Sequence, residues 1–493
     1  MAVTESVETT APTQRIRRSR RRAVTRHVRP TEPTSAPALA TDLGAMVGSQ
    51  VTGSRWGVLV VSLTRGDTLY SINPDELLQP ASTFKLFTAA LALERLGPNH
   101  HFSTDVLRDG SLDSSGTVHG NLILRGGGDP ALSNRFLRGD ANTPMTLLAR
   151  LVQGAGVRRV TGDLIADASA FEERLVPEGW LRRYLQDRYA ARVSALSLNE
   201  NVVAIAVHPE DAGGVARVEL EPASSSMAVT SSVRLVKGSR GGNIIVRRMN
   251  GGGVEARGWI GMNSVVRRYE LVVEDPAKFT IGAFRDALAA QGITVDGSVR
   301  MSATPGHAVK VTGLPSPPLD RLISVMNRES INHYAELIYR NTARTQTQLP
   351  EGSATAGFAL LRDFMVTKVG ADPAAVHAAD GSGLSTLDRV TPRALLQLLA
   401  YSHKAPWAAA FHASLPVAGE SELLRTRMRS TAAQGNLHAK TGTTNAVISL
   451  GGYVTAQSGE VIAFAFIYNG SDRWNARETM DAMGVTLASF VRE

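Results

Sequence analysis

A serine and a lysine stand three residues apart at the predicted start of a helix. Ser82 and Lys85 open the segment 82–96, in which apolar residues recur at helical spacing. This spacing is about one helical turn, so the lysine amine would lie beside the serine hydroxyl, where the helix dipole favours an alkoxide. A serine hydroxyl is a weak nucleophile until a neighbour accepts its proton, and a lysine whose pKa is lowered by desolvation can do so. The pair therefore predicts a serine nucleophile, Ser82, activated by Lys85.

The alternative interpretation of these residues is structural, with Ser82 capping the helix and Lys85 facing solvent. Apolar residues surround the lysine, namely Phe84, Leu86 and Phe87. This environment indicates a buried lysine and favours the catalytic interpretation.

A second serine lies in the break between two predicted helices. Ser330 is followed by Ile331 and Asn332. A loop serine at this place could relay a proton, and an asparagine could hold a substrate amide. Taken alone, the triplet is better explained as a helix N-cap.

A second lysine stands near the end of a predicted edge strand. Lys440 supplies positive charge, and the hydroxyls of Thr441 and Thr443 could bind a substrate carboxylate. Gly442 would let a substrate backbone pair closely with the strand. The segment therefore predicts an edge that binds an extended peptide with a free carboxylate.

The positive charge of the chain is concentrated at its amino terminus. The formal net charge is +8 over 493 residues; residues 1–29 hold eight arginines and two acidic residues, a net +6 that leaves +2 for the rest. A nearly neutral body does not require a nucleic-acid-binding fold, and an arginine block of this kind is usually a solvated arm. An export or anchoring remnant, or contact with an anionic polymer, remains an alternative for the arm.

The composition excludes several kinds of chemistry. There are no cysteines, which excludes disulfides, thiol nucleophiles and Cys-ligated zinc. The eleven histidines form no HExxH pattern, so no metal is expected. We expect no membrane span, because no run of about 18 apolar residues is present. Residues 30–44 have no apolar core of the kind that marks a signal peptide.

Changes in composition divide the chain into four parts. Residues 1–35 are predicted to be a disordered, arginine-rich tail. Residues 36–98 combine a strand hairpin with the helix that carries Lys85. Residues 99–312 hold short strands and glycine-rich turns, and residues 313–493 return to helices followed by a final sheet. We therefore expect an α/β catalytic domain in two segments, interrupted by a large inserted region that is β-rich or α+β.

Together, the three clusters resemble the signature S-x-x-K, S-D-N and K-T-G of penicillin-binding proteins and class A β-lactamases, in the same order. Ile331 stands where that signature has aspartate. Ser82 and Ser330 are 248 residues apart, and Ser330 and Lys440 are 110 apart, which leaves room for an insertion that a class A β-lactamase lacks. The layout resembles instead the S13 peptidases, the PBP4-type D-Ala-D-Ala carboxypeptidases and endopeptidases. Three further phrases look like that family: GGGDP at 126–130, SALSLN at 194–199 and DGSGLS at 380–385.

The resemblance implies a fold and an acyl-enzyme mechanism. The fold would be the penicillin-binding, β-lactamase-like transpeptidase domain, an antiparallel sheet with a helical cluster. Lys85 would accept the proton of Ser82, which attacks the carbonyl between two D-alanines. Ser330 and Lys440 would pass a proton to the departing amine, and water would then release the acyl group. No metal or cofactor is implied.

The resemblance also implies which residues hold the substrate. The backbone N–H groups of the nucleophile and of Thr443 would form an oxyanion hole. Asn332 would orient the peptide, and Thr441 and Thr443 would hold its terminal carboxylate. In the family, an aspartate of the inserted region contacts the amino group of the substrate's diamino acid, and Asp167 is the candidate. The alternative is that Asp167 is a strand-end residue that shapes a turn.

The implied partners are the peptide of peptidoglycan as substrate and β-lactams as covalent inhibitors, with no nucleic acid. Carboxypeptidase and endopeptidase activities are both compatible, because they cut after the same D-alanine. Since peptidoglycan lies outside the cytoplasmic membrane, we expect an extracytoplasmic location. Two other functions are a β-lactamase or esterase on the same scaffold and a binding protein that uses the basic arm. The long insertion argues against the first, and the nearly neutral body argues against the second.

Overall fold

The computed structural model covers most of the chain. The first 27 residues, and with them most of the predicted arginine-rich tail, lie outside the part that it describes. The described residues are 28–48, 54–211, 214–249, 252–347 and 349–492.

The first segment contributes two helices and a strand hairpin. The predicted hairpin and the predicted helix that carries Lys85 are present. The first helix is not predicted, because its buried residues Leu39, Leu43 and Met46 stand among proline, threonine and alanine. The elements are α1 (Ala36–Gly48), β1 (Arg55–Ser62), β2 (Thr68–Ile72) and α2 (Lys85–Leu96).

The inserted region is built from short strands with two helices packed between them. Their apolar faces form one core that includes Leu124, Leu148 and Phe284. The elements are β3 (Ser103–Arg108), β4 (Ser111–Leu112), β5 (Thr117–His119), β6 (Leu122–Gly126), α3 (Thr143–Gly154), β7 (Arg159–Val160), β8 (Leu164–Asp167), β9 (Val202–Asp211), β10 (Ala216–Glu221), β11 (Val229–Val236), β12 (Gly242–Arg248), β13 (Val254–Gly261), β14 (Arg267–Val272), α4 (Pro276–Ala290), β15 (Thr294–Val295), β16 (Val299–Met301) and β17 (Val309–Pro315).

The strands of the inserted region pair into several small sheets. The strand orders are β16-β8-β6-β3-β17, β15-β7-β5-β4, β10-β9-β14 and β11-β13-β12. Strand β17 pairs antiparallel with β3 as far as Pro315 opposite Ser103. The predicted boundary at residue 312 lies inside this strand, and the place where the inserted region ends stays a prediction. Proline is tolerated at the end of β17 because this strand is at the edge of its sheet.

The last segment returns to helices and then to strands. The helix at Pro392 begins with an N-cap, because Thr391 Oγ1 accepts a hydrogen bond from Ala394 N at 3.0 Å. The elements are α5 (Leu319–Glu329), α6 (Asn332–Thr347), α7 (Ala354–Phe364), β18 (Val376–His377), β19 (Arg389–Val390), α8 (Pro392–Lys404), α9 (Ala408–Ala413), β20 (His438–Thr443), β21 (Val447–Thr455), β22 (Val461–Asn469) and α10 (Arg473–Ala488).

The two ends of the chain meet in a five-stranded antiparallel sheet with the order β2-β1-β22-β21-β20. Strand β1 pairs with β22 from Arg55 opposite Asn469 to Ser62 opposite Ile462. One face of the sheet packs on a helical cluster that includes α2, α5, α6 and α8. The other face packs on α1 and α10. The predicted fold, an antiparallel sheet with a helical cluster interrupted by an inserted region, is confirmed.

The inserted region also contacts the catalytic domain through the segment between β8 and β9. Phe171, Trp180 and Tyr184 of this segment pack with Leu337 of α6. The indole of Trp180 donates a hydrogen bond of 2.7 Å to Asp380 in the second catalytic segment. The segment 168–201 is therefore part of the wall around the catalytic residues described below.

The described end of the predicted tail is packed against the body. Thr31 N donates to Thr486 Oγ1 at 3.0 Å, and Val491 N donates to Pro33 O at 3.1 Å. The expected tail boundary at residue 35 is therefore too late, because residues 28–35 lie along the end of α10. Within the described chain, no helix combines the length and apolar character needed to cross a membrane.

Packing under α2 supports the helix that begins with Lys85, and we expect Phe87→Ala to weaken this packing. Phe87 is fully buried and stacks on Phe84 with ring centroids 5.3 Å apart. The substitution should lower the free energy of unfolding by about 3–5 kcal/mol, because it leaves a cavity in the core. Val265→Ala, at a side chain that is 79% exposed, should change it by no more than about 0.5 kcal/mol. Urea denaturation measures both, and equal effects would contradict the packing described here.

Candidate active site

The residues Ser82 and Lys85 lie where a tight turn runs into α2. Residues Ala81–Phe84 form one 3-10 turn, so Ser82 lies just before the helix begins. Ala81 has a φ of 49°, in the left-handed region that side chains other than glycine rarely adopt. The Nζ atom of Lys85 lies 3.0 Å from Ser82 Oγ. The structure thus brings together the pair that the sequence predicts.

The Lys85 amine is fully buried and surrounded by neutral groups. It donates to Asn332 Oδ1 at 2.5 Å and to the carbonyl oxygen of Ser382 at 2.8 Å. Burial lowers the pKa of Lys85 to about 7, although the charges of Asp380 and Glu336 act in the opposite direction. Near neutral pH, therefore, a large share of Lys85 is in its neutral form.

The second serine and the second lysine form a similar pair. Lys440 Nζ donates to Ser330 Oγ at 2.9 Å and to the carbonyl oxygen of Thr441 at 2.8 Å. Burial lowers the pKa of Lys440 well below its usual range, and the charge of Lys85 lowers it further. Ser330 has a φ of 59° at the end of α5. This left-handed residue ends the helix and directs the serine toward Lys440.

Asn332 connects three segments of the chain. Its Oδ1 accepts from Lys85, and its Nδ2 donates to the carbonyl oxygen of Tyr189 at 2.7 Å. Tyr189 belongs to the segment 168–201 of the inserted region. Both ends of the Asn332 amide thus have partners inside the protein, so its contact with a substrate peptide stays a prediction.

Strand β20 forms one side of the site and is at the edge of the central sheet. Thr441 is nearly buried and Thr443 is exposed. A Cβ atom on Gly442 would lie 2.7 Å from Pro80 O and 3.0 Å from Ser82 N. Glycine is therefore required here because the strand packs against the turn that carries the nucleophile. The reason predicted from the sequence is a different one, the close approach of a substrate.

The loop that follows β18 supplies a functional contact that the sequence motifs do not predict. Asp380 accepts hydrogen bonds from the backbone N–H groups of Ser382, Gly383 and Ser385 at 2.6–2.8 Å. These bonds fix the loop so that the Ser382 carbonyl oxygen points at Lys85. A Cβ atom on Gly383 would lie 1.9 Å from Ala81 O. The sequence segment DGSGLS at 380–385 could have drawn attention to this loop. It contributed to the family resemblance, but it did not predict the contact with Lys85.

The hydrogen bonds of Asp167 join it to Ser169 and Thr304 and not to the residues described above. It is at the end of β8, and its side chain is almost completely buried. Its carboxylate accepts from the backbone N–H and the hydroxyl of Ser169 at 2.9 and 2.6 Å. It also accepts from Thr304 N at 2.8 Å and from the Thr304 hydroxyl. The predicted binding role of Asp167 remains a prediction, and its contacts are those of the alternative, a residue that shapes a turn.

Comparisons with known proteins identify the family of this chain. A model described as "D-Ala-D-Ala carboxypeptidase 3 (S13) family" matches residues 40–490. A D-alanyl-D-alanine carboxypeptidase of Actinomadura sp. (strain R39) is 34% identical over 453 residues, which cover 89% of this chain and 82% of that protein.

Solved structures agree on the fold. The crystal structure of penicillin-binding protein 4 from Haemophilus influenzae superposes with a TM-score of 0.75 at 23% identity, covering 90% of this chain and 98% of the other. The structure of that protein with a β-lactam gives 0.71 at 22% identity, with the same coverage. This chain therefore belongs to the D-Ala-D-Ala carboxypeptidase 3 (S13) family, and it is a serine-type D-alanyl-D-alanine carboxypeptidase.

Proposed function

We propose that this carboxypeptidase cleaves the D-Ala-D-Ala bond of peptidoglycan stem peptides through an acyl-enzyme on Ser82. The observation that carries the proposal is the presence of two buried lysines, each within hydrogen-bond distance of a serine hydroxyl. Lys85 lies 3.0 Å from Ser82, and Lys440 lies 2.9 Å from Ser330. Burying a lysine without a counter-charge costs stability, so two such residues in one site indicate a chemical role.

The contacts of Lys85 fit a neutral base as well as an ammonium group. A neutral amine has two N–H groups and one lone pair. Asn332 Oδ1 and Ser382 O can only accept hydrogen bonds, so they use both N–H groups, and the lone pair then faces the Ser82 hydroxyl. As Ser82 Oγ bonds to the carbonyl carbon of the substrate, Lys85 takes the hydroxyl proton.

The second pair is placed to protonate the leaving group. Lys440 donates to Ser330 Oγ, which leaves the Ser330 hydroxyl proton free to point at the substrate. When the C–N bond breaks, its electrons go to the amine of the terminal D-alanine. The amine takes the proton of Ser330, and Lys440 in its protonated form replaces it. Water then attacks the ester on Ser82 and gives up a proton that returns through Ser330 to Lys440, while Lys85 returns a proton to the serine oxygen.

The edge of the central sheet is the proposed place for the substrate chain. An extended peptide beside β20 would place its terminal carboxylate near the hydroxyls of Thr441 and Thr443. Because Gly442 holds β20 against Ser82 N, the backbone N–H groups of Ser82 and Thr443 are candidates for the oxyanion hole. A β-lactam would acylate the same serine. Since the proposed substrate lies outside the cytoplasmic membrane, we propose that the protein acts there.

A labelled penicillin and a peptide ending in D-Ala-D-Ala test this proposal together. We expect a stable penicillin adduct that peptide mapping by mass spectrometry places on Ser82, and release of one D-alanine per peptide. Ser82→Ala should lose both, while its circular dichroism spectrum is unchanged. Rapid turnover of penicillin would support the β-lactamase alternative, and an adduct on another residue would refute the assignment of the nucleophile.

Asp167→Ala separates the two roles considered for that residue. Removing the carboxylate leaves the hydrogen-bond donors of Ser169 and Thr304 without their acceptor, so the free energy of unfolding should fall by about 1–3 kcal/mol. The ratio of kcat/KM between a peptide with a free side-chain amine and its acetylated form should stay within about twofold of wild type. A fall in this ratio of tenfold or more would instead support binding of the diamino acid by Asp167.

A further inference from the structure

A cleft outside the active site lies between the segment 172–178, α7 and the strand pair β18–β19. Its volume is about 810 Å³, within the range of pockets that hold small ligands. Its apolar walls include Phe358, Leu77 and Leu387, and the two leucines are 42% and 41% exposed. The catalytic residues proposed above do not line this cleft.

The floor of the cleft contains a buried arginine whose hydrogen bonds are incomplete. The side chain of Arg340 is 1% exposed, and its Nη1 atom donates to Glu336 Oε2 at 2.5 Å. Its Nη2 atom lies 3.4 Å from Glu172 Oε1, an ion pair that lacks hydrogen-bond geometry. Among the residues that the structure describes, neither Nε nor Nη2 has a hydrogen-bond partner. Both atoms are buried, so Arg340 contributes a fixed guanidinium charge beneath the cleft.

The guanidinium of Arg340 is held in a fixed position. Glu336, which accepts from Nη1, also accepts from Gly381 N at 3.0 Å through its other oxygen. Glu336 is itself fully buried. The arginine therefore cannot turn toward solvent to satisfy its free donors without breaking these contacts.

Two further guanidinium groups line the same cleft. Arg389 donates to the carbonyl oxygens of Thr386 and Asp388, and these bonds do not neutralise its charge. Arg174 is 61% exposed and lies 3.8 Å from the carboxylate of Glu178, which is 69% exposed. Such an exposed pair is weak, so both groups remain available to a ligand.

The lining favours a particular class of ligand. Guanidinium groups bind carboxylates through paired hydrogen bonds, and Arg174 and Arg389, above the buried charge of Arg340, suit a ligand with more than one carboxylate. The apolar walls suit aliphatic side chains or methyl groups between those carboxylates. The acidic rim, with Glu172 and Glu178, suits a ligand amine. A short peptide with free carboxylates and an amine has all of these features.

We propose that this cleft is a second binding site, which takes a carboxylate-bearing stem peptide of the peptidoglycan class. The ligand class rests on the substrate proposed above. The site itself rests on the cleft and its arginines. It would hold a peptide strand of the polymer while a different peptide is cut at Ser82.

Titration calorimetry with a peptide that lacks D-Ala-D-Ala tests this site without any catalytic step. The probe is the tripeptide L-Ala-γ-D-Glu-L-Lys, with two free carboxylates, and the comparison is the same peptide with both carboxylates converted to carboxamides. We expect Ser82→Ala protein to bind the tripeptide, and to bind the diamide at least tenfold more weakly. Acetate at the same concentration should not compete.

Arginine variants assign the binding to the cleft. In the Ser82→Ala background, Arg174→Ala with Arg389→Ala should weaken tripeptide binding at least tenfold. Arg150→Ala, an exposed arginine of α3, should leave it unchanged. With Ser82 intact, the double variant should still be acylated by penicillin at the wild-type rate, which shows that it is folded. If it does not fold, Arg174→Ala alone should weaken binding at least threefold.

Three outcomes would overturn the proposal. They are no tripeptide binding, equal binding of the diamide, and binding that the arginine variants leave unchanged. Competition by acetate would indicate a site for simple anions, which also contradicts a peptide site. A failure of penicillin to acylate Ser82 would refute the proposed nucleophile and would leave this binding result unaffected.

Discussion

The burial of two lysines beside two serines is the constraint on which the rest of the active site depends. Lys85 and Lys440 are both fully buried, and an ammonium group in such a place loses its hydration. The hydrogen-bond partners that the structure gives Lys85 are a hydroxyl, an amide oxygen and a backbone carbonyl. Because these partners carry no charge, they stabilise the neutral amine better than a carboxylate would. Burial of Lys85 therefore costs folding free energy and at the same time favours the neutral amine, which is the form that can act as a base.

Acidic side chains near Lys85 moderate the effect of burial on its pKa. Asp380 and Glu336 raise the pKa of Lys85 against the larger effect of burial. Burial also raises the pKa of Glu336 to about 7 and that of Asp388 well above its usual range, with the charge of Asp380 acting in the same direction. A fully charged set of carboxylates would hold Lys85 protonated, so their own burial helps to keep the base neutral. Because these charged groups interact, the protonation of each one depends on the protonation of the others.

The sequence predicted the chemical core of the site because its residues stand in short motifs. Ser82 and Lys85 are one helical turn apart, so local geometry alone brings their side chains together. Pairing of Ser330 with Lys440 joins residues that are 110 positions apart, and it was predicted through family resemblance. The fold class followed from the same motifs and the long separation between them.

Other contacts depend on long-range packing that no local pattern encodes. The Tyr189 carbonyl reaches Asn332 only because segment 168–201 returns from the inserted region. Helix α4 (Pro276–Ala290) was missed because alanines and a glycine dilute its apolar stripe. Asp167 is predicted from the family resemblance alone, which cannot show that Ser169 and Thr304 already donate hydrogen bonds to its carboxylate.

The pH dependence of Ser82 acylation tests most directly whether burial makes Lys85 a neutral base. The base is active when it is deprotonated, and burial lowers its pKa to about 7. The rate constant for acylation by penicillin should therefore rise with pH, reach half of its maximum near pH 7 and level off above it. Stopped-flow measurements between pH 5 and 9 would give this profile, with circular dichroism to confirm that the protein stays folded. A rate that is independent of pH, or one that still rises steeply at pH 9, would contradict the account.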